Sequence, residues 1–188
     1  MLADRGDTTL VVGATSFAHP TLRFLYDYWN GKRGSRALPA RSDISAVDLR
    51  PHLGWVMLVD VVSDFQEFRF RLIGTLVTEY FFADGTGKTV EEVFANRDAS
   101  VAKAISGLFR KSARDRVVLH TYGSARWAGP GFEEFEAIYL PLSDDGDRVN
   151  MLLHAFVFDR EKVILARQIA RANGGKILPM PGQRRDHG

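Results

Sequence analysis

The stretch WVMLVDVVSDFQEFRFRLIGT, residues 55–75, carries the strongest structural signal in this chain. Its first part, 55–62, is apolar apart from Asp60, which is typical of a buried strand. Its last part, 68–73, alternates between apolar and charged residues, so one side should face a core. The inward positions are Phe68, Phe70 and Leu72. Because the link between the two parts is of hairpin length, the stretch predicts two antiparallel strands.

Three more strands are predicted after a helix over residues 98–115. They cover 117–127, 133–142 and 149–158, and Gly- and Asp-rich turn signals join them. Both strand groups are hairpin-linked, so we expect a five-stranded antiparallel sheet in an α+β fold. The helices between the two groups should cross one face of that sheet.

The N-terminal region predicts a helix over residues 19–29, with Pro20 in its first turn and Asn30 and Gly31 at its end. Apolar side chains lie on two of its faces, and Phe24 and Tyr28 form the second. We predict that this second face is a homodimer interface. The expected organisation is an N-terminal extension (1–17), one domain (18–158) and a basic helical or disordered tail (159–188).

Composition excludes several chemistries. The 188 residues carry a net charge of +2 and include no cysteine, which removes disulfides, thiolate metal sites and cysteine-linked flavins or chromophores. The start of the chain resembles neither a secretory signal nor a membrane span, so we expect a cytoplasmic protein. The tail holds seven Lys or Arg and three acidic residues, but no aromatic residue is interleaved with them, and nucleic-acid binding is not favoured.

The segment ADGTGKTVEEVF, residues 83–94, looks like the end of a phosphate-binding P-loop. Phe82 stands where the first glycine of that motif is required, and a phenylalanine would fill the phosphate space. The alternative is a glycine turn followed by a short helix, with Thr89 as N-cap and Glu92 as its capping-box partner. We favour the turn and helix.

Seven short motifs, in this order, resemble a family of bacterial proteins in which one PAS domain forms most of a short chain. They lie at 26–29, 38–44, 49–53, 58–60, 68–75, 87–93 and 139–142. The resemblance implies a non-catalytic sensory or regulatory module in signal transduction. It also implies that such domains bind a small ligand between sheet and helices or contact a protein partner, and that they often dimerise through an N-terminal helix.

The ligand is not identified by the resemblance. The resemblance implies that a haem-binding member would carry its axial histidine on the 98–115 helix; none of the five histidines lies there, so haem is not favoured. The candidate ligand-binding residues are Arg71, Tyr80, Phe109, His120, Tyr122 and His154. The alternative for the histidines is an outward or satisfied-core position, since strand polarity alone does not assign the faces.

The remaining motif residues have structural interpretations. They are Trp29, Arg41, Asp43, Asp60, Gly74 and Gly87. The charged ones are expected to form ion pairs that tie the N-terminal loop to the sheet, with anion recognition by Arg41 or Arg71 as the alternative. A pure interaction module with a filled core is a second functional hypothesis. A small α+β enzyme is a third and weaker one, because Glu133, Glu134 and Glu136 look like a solvated edge with no histidine near them in sequence.

Overall fold

A computed structural model describes residues 8–80, 85–96, 99–125 and 134–158. The strands are β1 (Thr8–Val12), β2 (Val56–Val62), β3 (Glu67–Ile73), β4 (Leu119–Ser124), β5 (Glu134–Leu142) and β6 (Met151–Phe158). The α-helices are α1 (Pro20–Arg33), α2 (Thr75–Tyr80), α3 (Val90–Val93) and α4 (Ala99–Asp115), and two 3-10 helices cover Arg41–Asp43 and Arg50–Trp55. The predicted α+β class is confirmed.

The strands form one antiparallel sheet in the order β1-β4-β5-β6-β2-β3. The predicted count of five strands is therefore wrong by one, because β1 pairs with β4 at the sheet edge. All five residues of β1 are exposed, so the strand lacks the alternating burial by which strands are predicted. The other five strands correspond to the predicted ones, with shorter ends at β4 and β6.

The hairpin of β2 and β3 contains an irregularity that changes which residues face the core. The register shifts between Leu58 and Val59, so that Leu58 lies opposite Leu72 and Val59 lies opposite Phe70. This bulge reverses the alternation beyond Phe70. Ile73 is buried and Leu72 is 37% exposed, which corrects the predicted inward position of Leu72.

The sheet is covered on both faces. On one face, Phe109 of α4 packs against Phe68 of β3 and His154 of β6. On the other face, Phe17, which precedes α1, packs against His120 of β4. The next residue of β4, Thr121, faces the α4 side, where its hydroxyl lies near that of Tyr139. The two central strands, β5 and β6, are buried along most of their length, and in β6 only one of eight residues is not fully buried.

Helix α1 is fixed at both ends by local sequence. His19 is its N-cap and accepts a hydrogen bond from the Thr21 backbone N–H. The helix continues four residues past the predicted end and stops at Arg33, where Gly34 adopts a φ of 56°. Trp29 is buried and donates from Nε1 to the Pro141 carbonyl at 2.9 Å, which holds the helix against β5.

Two motif glycines meet backbone requirements. A Cβ on Gly74 would collide with the carbonyl oxygens of Leu53 and Gly54, so only glycine fits this approach of β3 to the preceding 3-10 helix. Gly87 has a φ of 83°, and its N–H donates to the Phe70 carbonyl at 2.7 Å.

The P-loop-like segment therefore pairs with β3. Thr89 accepts from the Glu92 N–H, and the Glu92 carboxylate accepts from the Thr89 N–H, as the predicted capping box requires. The preceding residues form helix α2, whereas a P-loop follows a strand.

Candidate functional site

Aromatic side chains occupy the space between α4 and the sheet, where a ligand pocket was predicted. Phe109 is completely buried there. Its ring centroid lies 5.6 Å from that of Phe68, 5.7 Å from Tyr139 and 5.2 Å from His154. These separations are those of direct ring contact, so the rings fill this part of the interior.

The buried polar groups His154 and Tyr139 each have a hydrogen-bond partner within the chain. His154 donates from Nδ1 to the Ile138 carbonyl at 2.7 Å, and the Tyr139 hydroxyl lies 3.3 Å from Thr121 Oγ1. Burial lowers the pKa of His154 to about 4, although the bond to the Ile138 carbonyl acts in the opposite direction. Burial likewise raises the pKa of Tyr139 to about 12.

The pKa shifts of His154 and Tyr139 leave both groups uncharged near neutral pH, and each is hydrogen-bonded within the chain. The pair is a satisfied part of the core, which is the alternative that the sequence left open for His154.

A groove lies between α3 and α4, beside this interior. It has a volume of about 390 Å³. Phe94 and Ala102 form buried parts of its wall, and Ser106 donates to the Glu91 carboxylate across it at 2.8 Å. Its other lining residues are Ala95, Ala99, Lys103 and Arg110. Such a mixed wall suits a small molecule that has an apolar part and a charged part.

A carboxylate on the opposite face of the sheet holds the entry to α1. Glu136 lies opposite Tyr122 in the β4–β5 register, and its carboxylate is 2.8 Å from His120 Nε2. The same carboxylate accepts the backbone N–H groups of Ala18 at 2.8 Å and His19 at 2.7 Å. Burial holds the pKa of the His19 imidazole below its ordinary value, although Glu136 acts in the opposite direction.

The expectation that Glu136 belongs to a solvated edge is therefore wrong. Its side chain is 12% exposed, and it joins the N-terminal segment to the sheet. The sequence signal was its place on a strand next to the strand that carries His120. That signal becomes readable only once the register of the two strands is known.

The six predicted ligand-binding residues do not come together. The structure places Phe109 and His154 in contact on the α4 side, and His120 on the other face of the sheet. Tyr122 is 43% exposed beside His120. Arg71 is exposed and pairs with Asp60. Tyr80 ends helix α2, and its side chain lies outside the described residues.

Of the charged motif residues, only two pair with each other. Arg71 Nε binds both carboxylate oxygens of Asp60, at 2.9 and 3.1 Å, across the β2–β3 hairpin. Asp43 accepts instead from the Ala40 N–H and forms an ion pair with Arg36, and these two bonds lower the pKa of its carboxyl. Arg41 reaches the loop that follows β5 through its backbone N–H, which donates to Asp144. Asp43 and Asp60 thus form ion pairs as expected, but the pair of Asp43 lies within the N-terminal loop and the pair of Asp60 lies within the sheet, so neither ties the loop to the sheet.

The predicted dimer-interface residues have partners within the chain. The Phe24 ring stacks on His52 at a centroid distance of 4.3 Å. The Tyr28 hydroxyl donates to Asp48 at 3.0 Å and accepts from the Ser45 N–H at 2.9 Å. Both rings are partly buried against the core, so this second face of α1 packs at least in part on the segment around the two 3-10 helices of its own chain.

Among the described residues, no group of three or more His, Asp or Glu is placed to hold a metal ion. In the same part of the chain, no helix is long and apolar enough to cross a bilayer.

The comparisons with known proteins agree with this geometry. A family profile described as PAS domain matches residues 17–157, which is most of the 188-residue chain. A search of curated proteins finds no match. The matched range begins at Phe17 and ends one residue before the end of β6, so it contains α1 and every strand except β1. With its antiparallel sheet and the helices between the two strand groups, this chain belongs to the PAS domain family.

Proposed function

We propose that this chain is a regulatory PAS module that acts through protein contacts in bacterial cytoplasmic signalling. PAS domains are in general sensory or interaction modules and not catalysts. Of these two roles, we propose interaction with a protein partner. The observation that carries it is the position of Phe109, whose ring occupies the helix–sheet interior where a ligand of such a domain would sit.

The packing around Phe109 supports this choice. Its neighbours Phe68, Phe70 and Tyr139 are at most 4% exposed, and His154 has its Nδ1–H bonded to a carbonyl. A ligand in this space would have to displace an aromatic ring from a close-packed core, which costs several kcal/mol, on the order of the 3–5 measured for deleting such rings. The buried polar groups already bond within the chain, so a ligand would gain little by binding them.

A second candidate function is recognition of a small amphipathic molecule in the groove between α3 and α4. The observation in its favour is the wall of that groove, which combines buried Phe94 with Glu91, Lys103 and Arg110. In this case the chain would be a ligand sensor of the kind that the family resemblance allows.

Native mass spectrometry of protein purified from its own cells tests the choice between the two functions. For an interaction module we expect the bare chain mass and no metabolite that raises the melting temperature. A bound small molecule in stoichiometric amount would overturn the proposal. So would a metabolite that stabilises the fold by about 3 kcal/mol at a hundred times its Kd. A Lys103→Gln variant that loses this stabilisation would assign the ligand to the groove.

The homodimer remains a separate proposal, to be tested by light scattering. Phe24 and Tyr28 are only partly exposed to a second subunit, since the Phe24 ring stacks on His52 and the Tyr28 hydroxyl bonds to Asp48. If α1 forms the dimer interface, Phe24→Glu should yield monomers while the His154 region stays folded. A wild-type monomer at high micromolar concentration would refute the dimer.

A further inference from the structure

The tip of the β2–β3 hairpin has an unusual backbone. Three consecutive residues, Ser63, Asp64 and Phe65, have φ angles of 49°, 54° and 64°. None of them is glycine, and for a bulky residue such as phenylalanine this region is costly. The hydrogen bond from Gln66 N–H to the Ser63 carbonyl closes the turn at 3.2 Å. A tight turn could be built more cheaply with glycine, so the strained Phe65 calls for an explanation.

Arginine side chains from two other parts of the chain meet at Phe65. Arg110 of α4 donates from Nε to the Phe65 carbonyl at 2.9 Å, which fixes the turn. The guanidinium carbon of Arg114 lies 5.9 Å from the Phe65 ring centroid, and that of Arg148, after β5, lies 5.4 Å from it. Both distances are within the range of cation–π attraction. We call the group Arg110, Arg114, Arg148 and Phe65 the arginine surface.

The arginine surface has more positive than negative charge. Among the described residues, one carboxylate forms an ion pair with its arginines: that of Asp64, which lies 3.2 Å from Arg148. That pair is open to solvent, since the Asp64 side chain is 81% exposed and the Arg148 side chain 53%. Exposed pairs of this kind are weak and can exchange one carboxylate for another. Arg114 is exposed as well, and its described contact is with the ring of Phe65.

The ring explains how the arginines are presented. A guanidinium that stacks on an aromatic face keeps its N–H edge turned outward, and this edge matches a carboxylate with two parallel hydrogen bonds. The Phe65 ring lies 5.9 Å from the guanidinium carbon of Arg114 and 5.4 Å from that of Arg148, so one ring gathers both guanidinium groups. Pre-ordering lowers the entropy that binding must lose.

We propose that the arginine surface is a docking site for an acidic segment of a partner protein. The inference rests on the proposed interaction function and names its surface and the chemistry of the partner. A nucleic acid fits less well, because Phe65 is half-buried and shielded by cations, and therefore cannot stack on a base. Two carboxylates close to Arg148 would also repel a continuous polyanion: Asp64, which pairs with Arg148, and Asp147, its neighbour in sequence, which pairs with Arg116.

The test uses the full chain and a short fluorescein-labelled peptide of alternating Glu and Asp, with binding read by fluorescence anisotropy at low and at physiological ionic strength. Arg114→Gln removes one cation of the arginine surface. Arg50→Gln removes an exposed arginine on the 3-10 helix before β2 and is the charge-matched control. We expect Arg114→Gln to weaken binding roughly tenfold and Arg50→Gln to change it little, since one charge-assisted hydrogen-bonded pair corresponds to about that factor.

Two further variants separate guanidinium recognition from general charge. Arg114→Lys keeps the charge but has neither the planar edge nor the stacking face, and Phe65→Leu keeps an apolar side chain but removes the ring. Both should weaken the peptide nearly as much as Arg114→Gln, with circular dichroism and melting temperature confirming that they fold. Equal loss in Arg114→Gln and Arg50→Gln would overturn the proposal, as would full binding by Arg114→Lys. Tighter binding of oligothymidine than of the peptide would overturn the class of partner.

Failure of this surface and failure of the proposed function give different results. A purified partner that binds the wild-type chain and Arg114→Gln equally would place its interface elsewhere and leave the interaction function standing. A stoichiometric small molecule in the native mass spectrum would refute the interaction function whatever the peptide does.

Discussion

Replacing Phe109 with alanine tests whether the helix–sheet interior is a packed core. The ring is fully buried and contacts Phe68, Phe70, Tyr139 and His154. Deleting such a ring removes its transfer free energy and leaves a cavity, and the two together cost about 3–5 kcal/mol. Edge-on contact with several rings places Phe109 toward the upper end of this range, so we expect a loss of about 4 kcal/mol in the free energy of unfolding.

Urea unfolding followed by the fluorescence of the three tryptophans measures this loss. The control is Phe109→Leu, which keeps most of the volume and loses only the ring geometry, for an expected cost of about 1 kcal/mol. An unchanged m-value in both variants would show that the unfolded states are comparable. Since a domain of this kind has only about 5–15 kcal/mol of stability in total, Phe109→Ala should remain folded but marginal.

A loss of less than about 1 kcal/mol in Phe109→Ala would refute the reasoning, because no buried ring in a close-packed core is removed so cheaply. It would mean that Phe109 covers an open pocket and can move aside. The ligand-sensing function would then be favoured over the interaction function. The same variant thus measures packing and discriminates between the two proposed roles.

Three other predictions follow from the described contacts. Burial lowers the pKa of His154 to about 4, from an unfolded value near 6.5. The contribution of neutral His154 to stability is therefore fully present above pH 6.5 and is lost as pH falls toward 4. In urea unfolding between pH 7.5 and 5, the free energy of unfolding of His154→Leu should change by about 2 kcal/mol less than that of the wild type. Gly74→Ala should lower the free energy of unfolding by at least about 2 kcal/mol, because the new Cβ meets backbone oxygen atoms. Gly107→Ala, in open space on α4, should raise it by about 1 kcal/mol. Equal effects of the two variants on the melting temperature would contradict the packing argument. Glu136→Ala should cost about 2 kcal/mol and speed hydrogen exchange at the Ala18 and His19 amides, and unchanged exchange would show that the carboxylate does not hold the start of α1.

Strong periodic patterns made most of the fold predictable. The alternation in β3 and the long amphipathic α4 each report one buried side, and such signals are local. Strand β1 was not predicted because its five residues are all exposed and show no alternation; its place at the sheet edge depends on its pairing with β4. Leu72 was misplaced because a bulge changes the phase of a strand without leaving a mark in composition.

The site was less predictable for a different reason. A strand that is covered on one side alternates, and its polar residues reveal the outer face. Strand β6 is buried on both sides, so the sequence around His154 gives no indication of direction. His120 and His154 therefore looked like members of one pocket, although the register places them on opposite faces of the sheet. Only the register of β5 with its two neighbours assigns His120 and His154 to different faces.

The same dependence on pairing hides the arginine surface. Arg114 and Arg148 are separated by two strands in sequence, and each alone looks like an ordinary solvated residue. They meet only because the β2–β3 turn bends through three left-handed residues and places Phe65 between them. If the chain acts through protein contacts, as we propose, a partner binds on its exterior. The place where this chain accepts backbone strain in order to order two guanidinium groups is therefore where we expect a partner to bind.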